Sequence, residues 1–153
     1  MHDVIGLEVQ PDEINAGVVR RMQAHYAREL SLLDRAVDTV RRLADVFRLG
    51  LASSSNRQLI DSVLSGAAVA QLFEATVSSE EVARGKPAPD VYLEAARRLG
   101  VAPERCAAVE DSANGLRSAR AAGMRVIAIP NRRYRHAPTH SRWPTSSSTH
   151  LRS

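Results

Sequence analysis

Leu49-Gly50-Leu51-Ala52-Ser53-Ser54-Ser55-Asn56 is a four-residue apolar run that breaks into four polar residues. A parallel strand buried on both faces needs no alternation, so such a run feeding a polar loop reads as that kind of strand. The unit recurs downstream. Cys106-Ala107-Ala108-Val109 runs into Glu110-Asp111-Ser112, and Met124 to Ile129 is a last apolar stretch broken by Pro130. Ala75-Thr76-Val77 reads as a further short strand. Between these lie helical patterns. The first opens at Ser55, with Gln58 at capping-box spacing, and closes at Gly66. A second starts near Pro89-Asp90, passes Val91, Ala95 and Leu99, and stops at Gly100. A third covers Ser112 to Ala122 and stops at Gly123. Strands alternating with helices of about ten residues predict an α/β fold on a parallel sheet.

Upstream, residues 11–30 read as one amphipathic helix. Pro11, Asp12 and Glu13 suit its first turn, and Ile14, Val18, Met22, Tyr26 and Leu30 form a stripe at steps of four. A shorter helix follows through Val37, Val40, Leu43 and Ala44.

Composition narrows the class. The 153 residues are 44% hydrophobic and 25% charged, as in an ordinary globular domain. No apolar run approaches the roughly 20 residues of a membrane span. The start has neither a basic nor an apolar signal region. The single Cys106 excludes an internal disulfide and any clustered-cysteine zinc site. These features predict a cytoplasmic protein. The net charge of +4 belongs to the tail: residues 131–153 hold five arginines, three histidines and no acid, leaving sixteen basic against seventeen acidic residues before them. The tail also has eight Ser/Thr and almost no aliphatic side chains, and we expect it to be disordered. The charge therefore does not mark the folded part as a nucleic-acid binder.

Ligands of an open parallel sheet bind at the carboxyl ends of its strands, and three polar clusters stand there. Ser53-Ser54-Ser55-Asn56 offers hydroxyls and backbone N–H groups to a phosphate at a helix start, although a plain cap explains Ser55 equally well. Gly85-Lys86-Pro87-Ala88-Pro89-Asp90 carries the only lysine among 21 cationic residues. A compact ammonium on a proline-flanked loop can neutralise a phosphoryl charge, or it can be a surface lysine beside a helix start. Glu110-Asp111-Ser112-Ala113-Asn114-Gly115 sets two carboxylates beyond a strand. They suit Mg²⁺ bound with a phosphate, or simply the helix dipole.

In this order the three motifs resemble the haloacid dehalogenase-like hydrolases, in the subgroup of phosphoglycolate phosphatase and β-phosphoglucomutase. Ala121-Ala122-Gly123-Met124 and Val126-Ile127-Ala128-Ile129 extend the likeness, which spans about residues 12–130. The resemblance implies a three-layer, Rossmann-like parallel sheet with helices on both faces. Residues 1–34 would be the last part of a helical cap, 35–130 a partial core, and 131–153 the basic Ser/Arg-rich tail. It implies that Ser53 and Lys86 are catalytic, that Ser53, Ser54, Ser55, Asn56 and Lys86 hold a phosphoryl group, and that Glu110 and Asp111 bind or orient water on Mg²⁺. The substrate class implied is a small phosphorylated metabolite, cleaved by a phosphatase or rearranged by a phosphomutase.

The family attacks phosphorus with the first aspartate of an Asp-x-Asp pair and uses the second as general acid and base. Neither is present. Asp3 is followed by Val4-Ile5-Gly6, and the Pro-Gly often found where cap returns to core reads Asp34-Arg35. The expectation is therefore an N-terminally shortened chain, inactive alone, whose uncovered strand edges favour self-association. Two other readings stand beside it: a non-catalytic or partner-dependent binding protein, and a basic-tailed protein associated with nucleic acid.

Overall fold

A computed structural model describes residues 10–129. The expected tail, and residues 1–9 of the expected cap, lie outside the described residues. Helix α1 is Pro11–Arg28 and α2 is Ala36–Ala44. Strand β1 is Leu49–Ser53, followed by α3 at Arg57–Gly66. A 3₁₀ turn at Ala70–Leu72 leads into β2, Phe73–Ser78, and a second at Ser79–Glu81 leaves it. Then come α4 (Asp90–Leu99), a 3₁₀ turn at Pro103–Arg105, β3 (Ala107–Glu110), α5 (Ala113–Ala121) and β4 (Arg125–Ala128). The order is α/β with parallel strands, as the periodicity predicts. No helix among the described residues is long and apolar enough to cross a membrane.

Strand β1 pairs with β2 in parallel, from Gly50 opposite Ala75 to Ser53 opposite Ser78. Alternation sends Ala52 to one face and Leu51 to the other. Ala52 packs against a cluster that contains Val77 of β2 and Val91, Tyr92 and Ala95 of α4, which hold α4 against the sheet. Leu51 packs on Ile60, Leu64 and Val69, with Val37 and Val40 of α2 alongside. Gly50 is small because Leu99 of α4 crosses it: an added Cβ would lie 2.9 Å from Leu99 Cδ1.

The expected single sheet is not formed. Strand β3 pairs only with β4, from Ala107 opposite Arg125 to Glu110 opposite Ala128, and the described strands make two separate two-stranded sheets. Ala108 and Val126 face the core with Ala119 of α5 and its C-cap Ala122. Their neighbours Val109 and Ile127 share the opposite face and are each 53% exposed, with Ile129 next to them. Among the described residues, β1 has no strand partner but β2, and β3 none but β4. The two pairs are instead joined through the α4–α5 core.

Two local expectations are corrected. In α1 the buried residue is Val19, and Val18 is exposed. The rest of the stripe, Ile14, Met22, Tyr26 and Leu30, is half-buried. Helix α3 does not start on a Ser55–Gln58 capping box. Its N-cap is Asn56, whose side chain caps nothing, and the Arg57 N–H donates to Glu80 Oε2 at 2.9 Å. The helix closes at Gly66 as expected, while the left-handed residue beyond it is Ala68 (φ 51°). At Gly66 the requirement is space, since an added Cβ would approach Leu30 Cδ2 to 3.2 Å.

Candidate functional site

The carboxyl ends of β1 and β3 open on one cleft of about 450 Å³. Ser53, Ser54 and Ser55 line it on one side, Glu110, Asp111 and Ser112 on the other, and Lys86 joins them from the loop before α4. Leu33, Leu51, Val109 and Ile129 supply apolar walls. Six of the seven residues that sequence points to thus meet in one place. The seventh, Asn56, is not among the lining residues, and its side-chain amide donates to Glu80.

Each arrives for a local reason. Ser53 ends β1, and its Oγ accepts the Ser55 N–H at 3.1 Å, folding the loop back on itself. Lys86 precedes a cis peptide to Pro87, after which Pro89 and Asp90 start α4. Glu110 ends β3, and Ser112 caps α5 by accepting the Gly115 N–H at 3.0 Å.

The centre of the cleft wall is an ion pair between Lys86 Nζ and Glu110 Oε1, with side chains only 9% and 8% exposed. Tyr92 OH donates to the same oxygen at 2.8 Å, and Lys86 lies 4.7 Å from the centroid of the Tyr92 ring. The other oxygen, Oε2, accepts from the backbone N–H groups of Asp111 and Ser112, each at 3.1 Å, and from Ser112 Oγ at 3.0 Å. Five donors therefore hold one carboxylate. Burial opposes its ionisation, but the bonds from Lys86, Tyr92 and Ser112 outweigh burial and bring its pKa down to about 2. Burial, and then the Glu110 charge, push the Tyr92 phenol up, so it stays a donor.

This arrangement predicts an acid limb in stability. The folded pKa lies below the ordinary 4.5, so the contribution is complete above about pH 4.5 and is lost as pH falls towards 2. Its size is on the order of 3 kcal/mol. Urea unfolding of the wild type and Glu110→Gln between pH 6 and 2 should show the difference between them shrinking across that window. A constant difference would contradict the ion pair.

The resemblance implies Mg²⁺ on Glu110 and Asp111. Magnesium demands six oxygens in a near-octahedral array. Both oxygens of Glu110 are already committed, and no group of three or more His, Cys, Asp or Glu that could hold a metal occurs among the described residues. These two residues do not make a magnesium site by themselves.

Sequence reasoning missed Tyr92 and the Ser78–Glu81 turn. Tyr92 reads as one apolar position of α4, and nothing local says that its hydroxyl faces β3. The turn did carry a signal, because Ser78 and Glu81 have capping-box spacing and form that box.

Comparison with known proteins bears on this geometry. Residues 6–123 match the haloacid dehalogenase-like hydrolase family. Protein CbbY of Rhodobacter capsulatus is 42% identical over 103 residues, covering 65% of this chain and 43% of that protein. Hexitol phosphatase B of Escherichia coli (strain K12) is 43% identical over 82 residues, covering 54% of this chain and 37% of that protein. The chain thus spans about two-fifths of the length of these relatives. The crystal structure of CbbY from Rhodobacter sphaeroides in complex with phosphate superposes with a TM-score of 0.79 at 30% identity, over 86% of this chain and 61% of that one. A second structure of that protein holds xylulose-(1,5)bisphosphate and also gives a TM-score of 0.79, at 29% identity.

Proposed function

This chain belongs to the haloacid dehalogenase-like hydrolase family, and from that premise we propose that its cleft holds the phosphoryl group of a small phosphorylated metabolite, a sugar phosphate before others. The observation that carries the reading is the convergence of Ser53–Ser55, Lys86 and Asp111, from three separate loops, on one cleft. The Ser53 hydroxyl, whose oxygen accepts from Ser55, keeps its own proton for a phosphoryl oxygen. Lys86 carries the neutralising charge, and Glu110 holds its ammonium in place with Tyr92. Asp111 is the carboxylate offered to Mg²⁺, the ion this family implies, with the remaining ligands coming from outside the pair. Relatives that bind phosphate and a sugar bisphosphate support the substrate class. In this reading residues 1–34 are cap and 35–130 are core of a three-layered fold.

Phosphoryl transfer needs a nucleophile, and no Asp-x-Asp occurs in the 153 residues. The chain alone should therefore bind phosphate and turn nothing over. Titrating inorganic phosphate should perturb the amides of Ser53–Ser55 and Lys86. Ser53→Ala, which removes one charge-assisted hydrogen bond, should weaken binding about tenfold or more. With p-nitrophenyl phosphate and Mg²⁺, turnover should stay at background. Metal-dependent turnover abolished by Asp111→Ala would overturn the inactivity, and phosphate binding indifferent to Ser53→Ala would overturn the site.

A further inference from the structure

We propose that Glu80, on the turn that leaves β2, is a positioning residue for the loop Ser53–Asn56. This rests on the reading of that loop as the phosphate-holding element. A four-residue polar loop at a strand end is ordinarily among the more mobile parts of a fold. This one is tied at every residue from Ser54 to Arg57 to the single turn Ser78–Glu81. Ser79 Oγ donates to Ser54 O at 3.0 Å, and Ser78 Oγ donates to Ser55 O at 2.8 Å. Glu80 uses both oxygens: Oε1 accepts from the Asn56 side chain and Oε2 from the Arg57 N–H. The Arg57 guanidinium then pairs with Glu81 and donates to Thr76 Oγ1 at 2.9 Å on β2.

The turn is rigid enough to serve as the anchor. Ser78 is fully buried; its Oγ accepts the Glu80 N–H at 3.1 Å, and Glu81 accepts the Ser78 N–H at 3.1 Å. Arg98 of α4 fixes Glu81 from the other side at 2.8 Å. Register explains why the turn can reach, since Ser53 lies opposite Ser78 and the two chains leave their strands side by side.

Glu80 also supplies what α3 lacks. The Asn56 side chain caps no N–H of the helix, and a carboxylate from another element takes the first helical amide. A negative charge is thereby resident at the start of α3. An incoming phosphate is directed to the hydroxyls of Ser53–Ser55 and to Lys86 rather than to the helix end. The Glu80 carboxylate bonds to Asn56 and Arg57, neither of which lines the cleft, and it acts through them.

The test uses the full chain, with amide hydrogen exchange and an inorganic phosphate titration followed by NMR. Glu80→Ala should speed exchange at Ser55 and Arg57 at least tenfold while amides of α4 and β3 keep their rates. It should also weaken phosphate binding severalfold. Glu80→Gln, which retains the carbonyl acceptor, should restore most of both. Glu74→Ala, which removes an exposed ion pair with Arg48, should change neither. Wild-type exchange at Ser55 and Arg57 in Glu80→Ala, or an equal rise across all elements, would overturn the proposal. If the wild type binds no phosphate at the loop, the functional reading fails and the exchange data alone decide positioning.

Discussion

Gly115→Ala should unfold or nearly unfold this protein, while Gly17→Ala should stabilise it. A Cβ at Gly115 would lie 2.0 Å from Glu110 Cδ and 2.1 and 2.2 Å from its two oxygens. A free carboxylate could swing aside, but five donors hold this one, so either the first turn of α5 shifts or Glu110 leaves Lys86. Breaking a buried pair leaves an uncompensated charge and costs about 3–5 kcal/mol. That is comparable with the whole stability of a small domain, about 5–15 kcal/mol. At Gly17, inside α1, an added Cβ meets nothing within 4 Å, and the gain in helix propensity is about 0.5–1 kcal/mol. Urea midpoints of the two variants should move in opposite directions. A Gly115→Ala midpoint at or above the wild-type value would remove the ion pair from its central place.

Concentration-dependent self-association is the second large effect expected. Among the described residues, the edge of β1 away from β2 and the edge of β3 away from β4 have no strand partner, and Val109, Ile127 and Ile129 are exposed on one side of the β3–β4 pair. Such an edge is a template for another chain. Covering the exposed half of Val109 is worth about 1 kcal/mol, and a lysine at that place adds charge where a partner strand would sit. Val109→Lys should therefore raise the concentration needed for association by about fivefold or more. Sedimentation velocity across a dilution series reads this directly. A wild type that stays monomeric at roughly 100 μM, the range in which exposed strand edges make chains associate, would overturn it.

Much of the fold was legible because its signals are local. The apolar run before Ser53 and the one before Glu110 mark strands. Pro89-Asp90 and Gly100 bracket α4, and Gly123 follows α5, because proline and glycine restrict or free their own backbone. The motif residues were legible as types: a serine loop, one lysine in an arginine-rich chain, an acid pair. Asn56 is absent from the cleft lining, and its amide bonds to Glu80, 24 residues later, a contact that no local pattern announces. Val18 and Val19 exchanged places because periodicity in steps of four does not fix the phase of a helix against its neighbours.

Residue chemistry and spacing alone decided which stretches become strands and helices and which motif residues follow β1 and β3. Those features depend on dihedral preferences and alternation within a few residues. Tertiary contact decided the rest. It split the strands into two pairs, committed Oε1 of Glu110 to Lys86 and Tyr92, and anchored the Ser53 loop on Ser78–Glu81. The reason is that a donor finds its acceptor by proximity in space. The partners in these bonds stand 18 to 25 residues apart along the chain.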